Sequence, residues 1–509
     1  LFSLNVYVRD DLTVIESEKV KKVTSLTNNF LKAERSEALS GGAGTVDKIG
    51  KNAFSHHFKN LSFEQRQDFL IGNAFFRKIW VASPSSTTSS DGLGPLYNAR
   101  ACQSCHIKDG RGHLPKEEKP LSAVLKVGNY NNKILLPNKI YGKQIQFFAI
   151  PGLSSESKLN INYIESNFRK NILEELDLKY PSYQLNNLKY GELGKNTSLS
   201  MRISPQVIGV GLLEAIEESD ILAKQDINDE DNDGISGLAR IVNDEKGNKK
   251  IGRFGIRAST PNLFTQTGVA FMHDMGLSNS VGTDSYGDCT KKQSECFKFS
   301  TGINKKDLHE VNDEVMNKVV FYLSSLSPPK RRNVSEKDVL LGKKIFYESK
   351  CTSCHTPKYV TSKNAKHDFL KYQLIWPYTD LLLHDMGDEL ADKDINGNIT
   401  NKEWKTPPLW GLGYAKEVNS RAGFLHDGRA KTILEAVMWH SGEAKESLAF
   451  LLSNYKDDLD KLEKFLNPSN ASYLPSPDGP TPPKGKSVCC RWPITLFTVT
   501  PPDDVRVNK

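Results

Sequence analysis

Cys102-Gln103-Ser104-Cys105-His106 and Cys351-Thr352-Ser353-Cys354-His355 are two copies of one pattern, CxxCH, in a chain of 509 residues with eight cysteines. Two thiols three positions apart on a helical turn reach two vinyl groups on one porphyrin edge, and the next histidine falls beneath the metal. The pattern therefore predicts two covalent c-type haems, held by Cys102, Cys105 and Cys351, Cys354, with His106 and His355 on the irons. A thioredoxin-like redox pair or a four-cysteine zinc site would also use CxxC. Neither asks for a histidine in the fifth position of both copies.

Covalent haem is assembled outside the bacterial cytoplasm, so the other four cysteines are read in an oxidising compartment. Cys289 and Cys296, six residues between them, are expected to close a small disulfide loop. The adjacent pair Cys489-Cys490 has no assigned partner, because vicinal cysteines bond poorly to each other. The chain starts at Leu1 rather than Met, as after removal of a signal segment. No apolar run approaches the ~18 residues that span a bilayer, so no transmembrane segment is expected. The expected location is periplasmic or otherwise exported. A net charge of +7, dispersed among 61 acidic residues, argues against nucleic-acid binding and leaves room for a basic face toward an acidic redox partner or a membrane surface.

With 38% hydrophobic residues the chain can bury two or three domain cores. Residues 1–45 read as an N-terminal extension ending in Gly41-Gly42-Ala43-Gly44. Residues 46–330 read as a first haem domain with a large insertion. Within it, Phe63, Phe69, Leu70, Ala74, Phe75 and Ile79 mark an amphipathic helix between Leu61 and Trp80. Ser327-Pro328-Pro329 breaks the chain before a capping box at Ser335 to Asp338 that opens a helix toward the second motif, in a domain spanning 331–468. Residues 469–509 read as an extended Pro/Ser-rich tail. The expected fold class is mainly α: two cytochrome c-like haem domains with a large irregular α+β insertion and extended termini.

Seven segments carry a resemblance. They are WVASPSSTTSSDGLGPLYNARACQSCH (Trp80 to His106), VIGVGLLEAI (Val207 to Ile216), DEDNDGISG (Asp229 to Gly237), GRFGIRASTPNL (Gly252 to Leu263), YTDLLLHDMG (Tyr378 to Gly387), EWKTPPLWGLG (Glu403 to Gly413) and FLHDGRAKTILEAVMWHSGEA (Phe424 to Ala444). Over roughly residues 40–468 the chain resembles the bacterial di-haem oxidoreductases of peroxidase type. These are distant relatives of the di-haem cytochrome c peroxidases and of the di-haem enzyme that matures a tryptophan-derived cofactor. The resemblance implies two haems and peroxide chemistry.

The sixth iron position separates an electron wire from a reactor. Thr432-x-x-Glu435 caps a predicted helix on which Ile433, Ala436, Val437 and His440 share one face. His440 lies fourteen residues after His426 of the HDG motif, where the resemblance places a distal Met or Tyr. It is the expected second axial ligand of the C-terminal haem. A satisfied core histidine is the alternative.

For the N-terminal haem, His113 is close along the chain. The repeated HDMG at His273 to Gly276 and at His384 to Gly387 offers Met275, His384 and Met386 as candidate ligands, or as turns packed near a haem edge. Glu214, an isolated acid in an apolar Gly-rich run, is the candidate acid/base for peroxide cleavage, with helix capping or an ion pair with Arg202 as alternatives. Trp404 and Trp410 are candidate electronic bridges, or simply core.

Asp392-x-Asp394-x-Asn396-Gly397 with Glu403 meets the EF-hand loop pattern, so calcium is a further candidate cofactor, although the flanks do not read as paired helices. Asp229-x-Asp231-x-Asp233-Gly234 has half of such a loop, and a solvated turn competes.

The expected function is an exported di-haem oxidoreductase of peroxidase type, the N-terminal haem reactive and the C-terminal haem relaying electrons. A non-catalytic electron-transfer or docking protein is the alternative. Expected partners are a small redox protein or quinol-linked donor, and hydrogen peroxide or a small or protein substrate.

Overall fold

The computed structural model describes residues 8–115, 120–131, 134–166, 176, 178–303 and 308–467. Cys489, Cys490 and the expected tail lie outside the described residues. The helices that organise the molecule are α1 (Phe63–Arg77), α2 (Val210–Glu214), α3 (Leu263–Met275), α4 (Asp313–Ser324), α5 (Lys337–Glu348), α6 (Ile433–Met438) and α7 (Leu459–Leu466).

Helix α1 begins at Ser62, whose hydroxyl accepts from the Gln65 amide while the Gln65 side chain caps the Ser62 amide. Its inward face is Phe69, Gly72 and Phe76, whereas Phe63 and Leu70 of the expected stripe are exposed. The reason is a helix crossing. A Cβ at Gly72 would strike the Lys318 carbonyl and the Tyr322 side chain of α4, so glycine sets which face turns in. Helices α5 and α7 repeat the arrangement, with Gly342 against the Lys461 carbonyl and Phe465. Helix α5 starts one residue later than expected, with Glu336 at its N-cap and no side-chain cap.

The expectation of a mainly α fold is corrected. Of the described residues 31% are helical and 16% lie in strands. The insertion builds β1 (Ala123–Asn131), β2 (Ile134–Pro137), β3 (Gln144–Ile145), the hairpin of β4 (Lys158–Glu165) and β5 (Lys179–Asn186), and β6 (Thr197–Ile203). Further on lie β7 (Leu383–Asp385), β8 (Asp392–Asp394), β9 (Ile399–Asn401) and β10 (Glu403–Lys405). A six-stranded antiparallel sheet runs β9-β8-β6-β1-β2, with β3 also on β1.

Period-two alternation explains this sheet. Ala123, Leu125 and Val127 pair with Ile203, Met201 and Leu199 on one face, and most of these are packed with Tyr141, Ile145, Phe147 and Leu159 into a core. Lys126, Ser200 and Arg202 point to the other face. A second core surrounds α1 to α4 and continues across residue 330 to Tyr359, Phe369 and Trp410. A third surrounds α5 to α7.

Residues 9–45 are strapped down. Arg9 pairs with Asp11 and Asp220, and Lys343 of α5 pairs with both Glu34 and Glu37. No helix among the described residues is long and apolar enough to cross a membrane.

Candidate haem sites

Each motif forms one tight turn, Cys102–Cys105 and Cys351–Ser353, closed by the histidine amide on the first cysteine's carbonyl. The His106 Nδ1 lies 2.7 Å from the Pro205 carbonyl and the His355 Nδ1 3.0 Å from the Tyr378 carbonyl. A carbonyl only accepts, so both protons sit on Nδ1 and both Nε2 lone pairs are presented outward, the tautomer a metal-bound histidine needs. Burial lowers the pKa of His106 and takes His355 down to about 4, which keeps both rings neutral. Burial also raises all four thiols, Cys102 and Cys351 to about 12. None of the four is in a disulfide. The structure does close Cys289 to Cys296.

The two sites are internal copies. Phe76, four residues after Gly72, lies 6.2 Å from His106 and 5.2 Å from Tyr322 between ring centroids. Phe346, four after Gly342, lies 6.2 Å from His355 and 5.3 Å from Phe465.

The copy extends to α3 and α6. Both follow a short β-bridge, Phe254 to Thr260 and Phe424 to Ala430, and both have an N-cap side chain accepting from the amide three residues on, Asn262 from Thr265 and Thr432 from Glu435. The offset is 432 − 262 = 170 residues. His440 sits just past the end of α6, its Nδ1 2.9 Å from the Ala436 carbonyl, close enough to His355 to oppose that ring's protonation. Its counterpart, 440 − 170, is Ala270, which has no donor atom.

Sequence reasoning missed this duplication, although the Gly-x-x-x-Phe of each first helix and the equal cap spacings were there to find. It also missed three desolvated cations. Arg111 donates to the Gly423 and Leu425 carbonyls, Lys126 donates to Gln144, and Lys405 is held down to about 8 by burial. None has an ion-pair partner among the described residues. Lys126 shares the field of Asp274 with His106, and Lys405 lies near Asp380, whose amide bonds the Cys354 carbonyl. Half-buried cations with no ion-pair partner among the described residues fit the propionates of two haems, as the neutral histidines fit their irons.

Glu214 ends α2, accepts from the Leu263 amide at 2.7 Å, and lines a cleft of about 670 Å³ with Glu245, Arg253 and Lys366; burial raises its pKa. It makes no pair with Arg202, which bonds Asp392. His113 Nδ1 meets the Ser122 hydroxyl and the Asn419 amide. His273 pairs with Asp288, and Met275 is core.

His384 bonds Asp380 and Glu443 through its two ring nitrogens, 3.5 Å from the Cys354 sulfur. Those carboxylates raise its pKa well above the usual histidine range, against the opposing effect of its burial. This leaves it no lone pair for iron. Met386 packs on the third core. Trp404 stacks on His426 and lies beside Arg202 and Arg257, while Trp410 is buried against Gly209.

The four calcium candidates do not converge. Asp392 is taken by Arg202 and Arg257, Asp394 closes a turn onto the Asn396 and Asn398 amides, which holds Asn396 within that turn, and Glu403 lies on β10. Among the described residues the one acidic cluster with cation-like spacing is Asp226, Asp229 and Asp231.

Duplicated helix crossings, each over a CxxCH turn with an outward-facing neutral histidine, define a protein built to hold two haems. The chain belongs to the family described as "Di-haem oxidoreductase, putative peroxidase", which matches residues 35–135 and 165–468. No curated protein matches it. Among solved structures it is similar to a hydrazine synthase from Kuenenia stuttgartiensis, at 14% identity over 54% of this chain and 95% of that one, with a TM-score of 0.22.

Proposed function

We propose that this chain is an exported di-haem c-type cytochrome that reduces peroxide, with an N-terminal haem (module 46–330) that keeps one coordination position open and a C-terminal haem (module 331–468) closed by His355 and His440. The observation that carries this reading is the replacement of His440 by Ala270 at the matching position of the first module. Haem bound there would supply redox iron to a small oxygen ligand.

The chain's own residues do the rest. Cys102, Cys105, Cys351 and Cys354 anchor, while Arg111, Lys126 and Lys405 neutralise propionates. Glu214, its pKa raised by burial, holds a proton in the lining of the cleft for delivery to the departing oxygen. One peroxide then takes two electrons and two protons to give two waters, the electrons coming singly from a small redox protein or a quinol-linked donor. The Cys289–Cys296 disulfide supports an oxidising compartment.

Haem staining with iron quantitation should give two irons per chain, and electron paramagnetic resonance should give one low-spin and one high-spin centre, the latter reacting with peroxide. Two low-spin centres inert to peroxide in every redox state would favour the electron-carrier reading instead.

A further inference from the structure

Leu263, Thr267, Ala270, Phe271 and Asp274 occupy positions i, i+4, i+7, i+8 and i+11 of α3, one continuous stripe of the helix. The Asp274 end of the stripe faces the first motif. Asp274 acts electrostatically on Cys102, Cys105 and His106, and Phe271 meets Trp80, which belongs to the same core as Cys102. At its N-terminal end the Leu263 amide carries the Glu214 carboxylate.

Thr267 is 5% exposed, and its Oγ1 has no hydrogen-bond partner among the described residues. A threonine inside a helix normally returns its hydroxyl to the carbonyl four residues back, and buried hydroxyls are nearly always bonded. This one is left open one turn before Ala270. In the second module the corresponding residue, 267 + 170, is Val437, which has no hydroxyl, and there His440 occupies the place that Ala270 leaves. A polar group and a missing ligand thus occur together in one module and are both absent from the other.

We propose that the Thr267 hydroxyl is the hydrogen-bond partner of the small oxygen ligand, peroxide, that enters the position beside Ala270. This rests on the open first haem proposed above. The hydroxyl lies between Glu214 and that position along the stripe, so it also aligns the ligand with the proton source.

Cyanide titration of the ferric holoprotein tests it, read by the loss of the high-spin absorption and by the infrared C–N stretch. Thr267→Val removes the hydroxyl at nearly constant volume and should weaken cyanide about tenfold, the loss of one hydrogen bond, and shift the stretch. Thr267→Ser should stay within about twofold of the unaltered protein. The low-spin signal of the second haem serves as the internal control and stays fixed in both. A Thr267→Val protein with unchanged affinity and stretch overturns the assignment of Thr267 alone. An unaltered protein whose first haem takes no cyanide in any redox state overturns the open-haem reading, and this inference falls with it.

Discussion

The rings of Trp404 and His426 stack at 3.7 Å between centroids and 14° between planes. Arg202 and Arg257 place their guanidinium groups 4.4 and 4.1 Å from the same indole centroid, and both bond Asp392. Burial is the main reason that His426 is held down to about 3, with Arg429 and Arg202 adding to the effect. A histidine depressed from ~6.5 in the unfolded chain binds its proton later when folded, so the unfolded state takes up more protons between about pH 6.5 and 3 and stability falls as pH falls through that window. Urea midpoints measured from pH 7 to 4 should drop, and His426→Phe should flatten the slope by about one proton, roughly 1.4 kcal/mol per pH unit. An unaltered slope would mean that His426 is protonated in the folded state.

Exchanging the distal residues should exchange the spin states. Ala270→His is expected to turn the first haem low-spin and end its reaction with peroxide, while His440→Ala should create a second high-spin centre. Magnetic resonance of the two ferric proteins decides this, and an Ala270→His spectrum identical to the original would break the correspondence between the modules.

Glu214→Gln should lower peroxide turnover about 100-fold, the scale of one lost general acid, with the visible spectrum unchanged. Because burial raises the carboxyl pKa, the group stays protonated to higher pH than an ordinary glutamate, and the corresponding limb of the pH–rate profile should disappear in the variant. Full turnover in Glu214→Gln would reduce the residue to a cap on α3.

Lys343 and Glu37 are each 1% exposed and 2.7 Å apart. Lys343→Ala strands a buried carboxylate and should cost about 3–5 kcal/mol in chemical denaturation, whereas Lys343→Met with Glu37→Leu should recover most of it. Equal losses in the two proteins would show that packing rather than charge holds the strap.

What could be read from the sequence was what depends on short spacing. The CxxCH turns, the Thr432 cap and the loop between Cys289 and Cys296 each need fewer than a dozen residues to declare themselves, whereas the expected stripe does not extend to His440, because α6 ends at Met438 and buries Ile433, Glu435 and Met438. The sheet did not declare itself, because β1 pairs with β6 some seventy residues on and β6 pairs with β8 nearly two hundred residues beyond that; register over such distances is set by tertiary burial. The segment from Asp392 to Glu403 folds as strands and a turn for a local reason: Asp-x-Asn-Gly is equally the chemistry of a tight turn between strands, and the arginines that bond Asp392 are remote in sequence. Ala270 was illegible because it signals by what it lacks, and it becomes informative only beside its copy.

The hairpin of β8 and β9 is encoded after the second motif, yet it hydrogen-bonds to β6, whose end runs into the Pro205 carbonyl that holds His106. Peptide ladders barely stretch, so any traffic from one motif to the other crosses a gap whose width is fixed by woven backbone, as a bridge span fixes a river crossing. Severing the gene between the halves would leave β6 as a bare margin, ready to recruit strangers.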